Sequence, residues 1–177
     1  MVRGRAGEVP DGSTRVRMTG SQRREQLIEI GRALFAEKGF EASSIEEVAQ
    51  RASVSKPIVY EHFGGKEGLY AVVVDREVRS LLERITSALE GTHPREKLSQ
   101  AADAFLTYVE DQPDGFTILV RGSASPTTSG TLASLLGDIA SQVEYILEDE
   151  FAARGYDKKM APLYSRALVG MVAQVGL

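Results

Sequence analysis

The chain has 177 residues, with 21 Lys and Arg against 25 Asp and Glu, two His, no Cys and no Trp. Without Cys there is no disulfide frame, no thiolate metal site and no Cys nucleophile, and His62 and His93 lie too far apart in sequence to suggest a zinc site. Taken whole, the net charge of −4 argues against a nucleic-acid binder, because such domains are usually basic.

The charge is uneven along the chain. Through Lys66 there are 11 basic and 9 acidic residues, and after it 10 and 16. Residues 1–20 carry Arg3, Arg5, Arg15 and Arg17 among Gly, Pro and Ser, with no apolar run. They read as a flexible basic arm rather than a secretion signal: either a solvated tail, or an arm that follows phosphates or enters a minor groove. No stretch of 18 apolar residues occurs, so no membrane partner is expected and a cytoplasmic protein is.

Helical signals then dominate. Ser21 is placed to cap a helix running to about Lys38, with Leu27, Ile28, Leu34 and Phe35 on one side and Gly39 at its end. Ser43 with Glu46 three residues later forms a capping-box pattern for a short second helix with Ile45, Val48 and Ala49 as its stripe. After a tight turn at Ser53-Val54, Ser55 can cap a third helix with Pro57 in its first turn, ended by Gly64-Gly65. A long helix is expected from about Lys66 to Leu89, and another from about Arg95 to Glu110. Pro113 and Gly115 are expected to break the chain before the apolar segment Phe116 to Val120. The run Gly122 to Gly130 reads as a loop, Thr131 to Arg154 as a helix, and a last helix begins near Lys159. Its Val169, Met171, Val172, Val175 and Leu177 form an apolar surface without a polar stop, which suggests burial against a partner or a chain that continues. No alternating strand pattern is present, so the fold class is all-α.

The second and third helices, joined by about three residues, have helix-turn-helix geometry. Ala49 is small where the two helices cross, and Val54 is apolar where the turn must plug into the core. Ser55 offers its hydroxyl and free N–H groups at a helix start, where phosphates bind. The helix tip presents Lys56, Pro57 and Ile58 to a major groove, and Tyr60, His62 and Lys66 can donate to phosphates on either side.

The stretch Arg24 to Tyr70 resembles the DNA-binding domain of the TetR family of transcriptional repressors. The matching elements are Leu34-Phe35, Gly39, Ser44 to Ala49, Val54 to Lys56, Tyr60-x-His62-Phe63 and Lys66-Glu67. The resemblance implies an all-helical homodimer on palindromic double-stranded operator DNA, each subunit with a helix-turn-helix unit (residues 21–66) and a helical ligand-binding and dimerisation domain (residues 67–177). It implies phosphate contacts from Ser44, Tyr60, His62 and Lys66, and base-facing positions at Lys56, Pro57 and Ile58. Val59 and Phe63 match core positions. Ser53 stands where the family's turn usually has Gly. Glu46 is explained by capping, and Glu61 either reads a cytosine amine or points away.

In the second part, Phe105, Tyr108, Phe116, Arg121, Tyr145 and Tyr164 are candidates for contact with an unknown small-molecule inducer, each equally readable as plain core or surface. An apolar or mixed aromatic ligand is the default expectation. It would tilt the long helix, change the separation of the two recognition helices, and so release DNA. No cofactor or metal is expected, and no P-loop, G-x-S-x-G, H-E-x-x-H or Rossmann glycine pattern supports an enzyme. The alternatives are a helical protein-interaction module and a transcriptional activator.

Overall fold

A computed structural model of the chain describes residues 18–90, 93–122 and 132–177. These residues form eight α-helices and one 3₁₀ turn, with no strand among them. Most of the expected basic arm and of the Gly122 to Gly130 loop lies outside the described residues.

The first helix, α1 (Gly20–Ala42), is capped by Thr19 and not by Ser21. The Gln22 N–H donates to Thr19 Oγ1 at 3.2 Å, and the Thr19 N–H donates back to Gln22 Oε1 at 2.9 Å. Ser21 cannot close such a box, because the residue three further on, Arg24, has no acceptor. Gly39 at φ 79° kinks α1 near its expected end at Lys38. The second cap also shifts by one residue: α2 (Ile45–Arg51) starts from Ser44, whose Oγ accepts from the Glu47 N–H at 3.2 Å. Ser43 is instead buried and donates to the Gly39 carbonyl at 2.6 Å, satisfying an acceptor that the end of α1 leaves open.

The third helix, α3 (Lys56–Phe63), is capped by Ser55 as expected. In the turn before it, the Val54 N–H donates to the Ala49 carbonyl at 2.9 Å, and Ser53 takes φ 52°. That left-handed conformation brings Cβ close to the following carbonyl, at a cost of about 1 kcal/mol. Ser53→Gly is therefore expected to stabilise the chain by about 1 kcal/mol, measured as a higher urea midpoint. An unchanged or lower midpoint would remove strain from this turn.

The long helix α4 (Lys66–Ala88) and α5 (Pro94–Asp111) follow the expected bounds closely. Pro113 does not break the chain. It opens α6 (Pro113–Gly122), because a first helical residue has no intrahelical use for an N–H, so the apolar segment Phe116 to Val120 is helical. The last elements are α7 (Leu132–Ala153), a 3₁₀ turn (Lys158–Met160) and α8 (Ala161–Gly176).

Two apolar clusters form. One gathers Leu27, Leu34, Phe35, Val48, Val59 and the start of α4, and the other gathers α5, α7 and α8 around the end of α4. Helix α4 runs through both, with Leu69 and Val73 in the first and Leu81 and Ile85 in the second. Helix α6 also bridges them, with Ile118 in the first and Phe116 and Leu119 in the second. A force on the second cluster therefore reaches the first through two continuous helices.

Candidate functional site

Helices α1 to α3 position the reading face. Val59, fully buried, and Phe63, partly buried, anchor α3 on the first cluster, which turns its opposite side to solvent. On that side Ser55, Lys56, Pro57 and Tyr60 are exposed, and Ile58 and His62 are half-buried. Ser55 makes no side-chain capping bond. Tyr60 is 52% exposed, unusual for a ring that could pack. The Lys56 ammonium lies 2.5 Å from Glu46 Oε1 on α2. That hydrogen bond holds the Glu46 carboxyl below the usual carboxylate range. Both partners are exposed, so the pair is weakly held and Lys56 can exchange the carboxylate for a phosphate or a base edge.

Two expected phosphate contacts are already engaged. Ser44 spends its acceptor on the cap of α2. Lys66 donates to the Phe40 carbonyl at 3.0 Å and the Glu41 carbonyl at 3.4 Å, and its ammonium sits 4.3 Å from the Phe40 ring centroid. Its placement ties the start of α4 to the end of α1. The His62 ring lies 6.0 Å from that of Phe63, which Arg24 covers at 5.1 Å.

Between head and body lies a polar cluster. Glu77 of α4 is 4% exposed. Its Oε1 accepts from Arg32 Nε of α1 at 2.7 Å, and its Oε2 accepts from the Tyr108 hydroxyl of α5 at 2.7 Å. Arg32 also donates to Gln112 Oε1 at 2.9 Å. Burial and then the bond to Glu77 push the Tyr108 hydroxyl far above its usual range, so it stays a neutral donor. Burial works to lower the Arg32 pKa, but the bond to and charge of Glu77 outweigh it, and Arg32 stays charged. Arg121 of α6 donates to the Ala36 carbonyl of α1 at 2.8 Å, a second tie across the junction.

In the body, α4, α5, α7 and α8 enclose a cavity of about 270 Å³. Ile85, Leu98, Phe105, Ile139, Val143 and Val172 line it, with Ser99 as the polar residue of its wall. Of the residues expected at a ligand, Phe105 lies on this wall. Phe116 backs it, edge-on to Phe105 at 6.0 Å. Tyr108 and Arg121 serve the junction, Tyr145 is exposed on α7, and Tyr164 packs edge-on to Phe151 at 5.5 Å. The aliphatic wall was present in the sequence as ordinary stripes, and nothing in a stripe says whether it closes on its partner or leaves a gap. Glu77 carried a clearer signal, since it occupies a stripe position between Val73 and Leu81.

Residues 27–73 match the family described as bacterial regulatory proteins, tetR family. The helix-turn-helix segment is of the TetR family. Its relatives include the HTH-type transcriptional activator FasR of Mycolicibacterium smegmatis, 35% identical over 58% of this chain and 48% of that protein. The HTH-type transcriptional regulator HbdR of Aromatoleum is 30% identical over 59% of this chain and 46% of its own length. The chain thus spans about half the length of these curated relatives. Solved structures extend the likeness through the body. A TetR-like transcriptional regulator from Rhodococcus superposes with a TM-score of 0.77 at 27% identity, over 90% of this chain and 85% of that one. The TetR family regulator PfmR of Thermus thermophilus gives 0.73 at 27% identity, over 91% and 86%. These proteins are named as regulators, and the TetR-type head is a DNA-binding unit. No helix among the described residues is long and apolar enough to cross a membrane.

Proposed function

We propose that the chain is a sequence-specific transcriptional regulator, a repressor that leaves its operator when a small molecule fills the cavity of the body. The observation that carries this reading is the exposed tip of α3, where Ser55, Lys56, Pro57 and Tyr60 stand clear of a head that is otherwise well packed. A second copy of the chain supports two half-sites about one DNA turn apart. The face of α8 that leaves Leu163, Met171 and Val175 exposed is an apolar surface suited to such a pairing. Release follows from continuity: Ile85 lines the cavity on the same helix whose first turns pack under α3. An activator is the second reading, favoured by the printed function of the Mycolicibacterium relative.

Selection of bound fragments from genomic DNA, followed by gel shift, tests the proposal. Lys56→Ala and Tyr60→Phe are each expected to weaken the selected operator roughly 5- to 100-fold, as a base or phosphate contact worth about 1–3 kcal/mol would, with thermal stability unchanged. The wild-type complex should hold two chains per operator and weaken steeply with salt. Unchanged affinity in both variants would sink this assignment of the reading face. In vitro transcription from the selected promoter separates repressor from activator.

A further inference from the structure

We propose that the effector taken by the body cavity is an uncharged molecule of about ten carbon atoms, mostly hydrocarbon, with a single uncharged polar end. The inference rests on the reading of this cavity as the effector site and adds the chemical class of what enters it.

Three observations carry it. The first is the wall. Of its residues, Ser99 alone is polar, and the rest are Ala, Val, Leu, Ile and Phe from four helices. No charged side chain lines the cavity among the described residues. Residues 123–131, between α6 and α7, contain only Ser, Ala, Pro, Thr and Gly. An ionised group brought inside would lose its water and meet neither a counter-charge nor a set of donors. An alkyl chain loses nothing and gains the removal of its surface from water.

The second is size. A cavity of about 150 Å³ lined by Leu, Ile and Phe stays dry and takes benzene, so 270 Å³ scales to roughly ten or eleven carbons. The third is the position of the one polar group. Ser99 is exposed while Phe105, two turns further along α5, is buried. The wall is therefore wet at the Ser99 end and dry at the Phe105 end. A ligand fits with its tail on Phe105 and Ile139 and a hydroxyl or carbonyl beside the Ser99 hydroxyl, which can donate or accept. The buried polar atoms nearest in sequence, on Tyr108 and Gln112, are already bonded to Glu77 and Arg32 and are not spent on the ligand.

The test is a charge series at constant chain length on the full chain: decan-1-ol, decanoate and decylammonium, followed by calorimetry and by thermal melting. Decan-1-ol is expected to raise the melting temperature and to bind at least tenfold more tightly than either ion. Ala102→Leu, which fills the wall from α5, is expected to weaken decan-1-ol at least tenfold while the unliganded chain melts no lower than wild type. If Ala102→Leu does not fold, Val143→Leu on the α7 wall is read in the same way. Decanoate or decylammonium binding as tightly as the alcohol would overturn the proposal. So would failure of decan-1-ol to bind the folded chain, or equal affinity for wild type and the filled variant. Operator binding by the unliganded chain is scored separately by gel shift. Loss of DNA binding with the alcohol preference intact would refute the regulator reading and leave the ligand class standing. The reverse pattern would refute the ligand class alone.

Discussion

Glu77→Ala is expected to lower the stability of the chain by about 3 kcal/mol, seen as a urea midpoint reduced by roughly 1.5 M at a slope near 2 kcal/mol/M. The side chain is 6% exposed and holds two donors that burial has already stripped of water, the Arg32 guanidinium and the Tyr108 hydroxyl. Removing the carboxylate leaves a charge and a hydroxyl without their acceptor. Breaking one side of a buried pair costs far more than the pair itself contributes. Arg32 keeps Gln112 and some access to water, which puts the loss at the lower end of the usual range. Glu77→Gln retains an acceptor oxygen for one of the two donors and should lose about half as much. The combined Arg32→Met, Glu77→Leu, Tyr108→Phe variant removes donors and acceptor together and should recover most of the loss. If it were as unstable as Glu77→Ala alone, the penalty would come from packing and not from orphaned polar groups. The combined variant also separates stability from signalling: it should fold and bind operator, yet respond less to decan-1-ol, because α5 no longer holds α1 through Glu77.

How much of this was readable beforehand differs from element to element. The helix-turn-helix was legible because its requirements are local: Ala49 at the crossing, Val54 in the turn, Ser55 before Pro57. Even the left-handed Ser53 stood out, since an invariant geometry met an unusual residue. The caps of α1 and α2 were misplaced by two residues and one. Adjacent Thr, Ser and Gln are all competent, and only the packed geometry decides that Ser43 is needed by the end of α1. Pro113 misled because the same residue ends one helix and begins the next. Lys66 was read as a free phosphate donor. Its actual partners, the carbonyls of Phe40 and Glu41, are more than twenty residues away and exist only once α1 and α4 meet. The cavity depends on the same kind of distant information. Aromatic residues drew attention in the sequence, but aliphatic side chains from four helices make the wall, and Tyr145 and Tyr164 stay outside it.

The corner between α3 and α4 sets the second large effect. Gly68→Ala is expected to weaken operator binding roughly 10- to 100-fold and to destabilise the chain by about 1–3 kcal/mol. A Cβ at position 68 would lie 1.9 Å from the Phe63 carbonyl oxygen and 3.0 Å from its carbon, a backbone that cannot rotate aside. Phe63 ends α3, and the next two residues are held as well: the Gly64 N–H donates to the Tyr60 carbonyl at 2.7 Å, and the Gly65 carbonyl accepts from the Leu69 N–H at 3.1 Å. The corner can accept the methyl only by opening the angle between α3 and α4. That movement carries Lys56 and Tyr60 with α3, and a displacement near 1 Å is enough to lose an aligned base contact. Gly137 on α7 supplies the control. Nothing lies within 4 Å of a Cβ there, so Gly137→Ala should gain about 0.5–1 kcal/mol from helix propensity and leave operator affinity unchanged. Gel shift and urea melts of the two variants side by side decide the matter. Gly68→Ala with wild-type affinity would mean that α3 reads DNA without depending on its angle to α4, and ligand release through that helix would then have no structural basis.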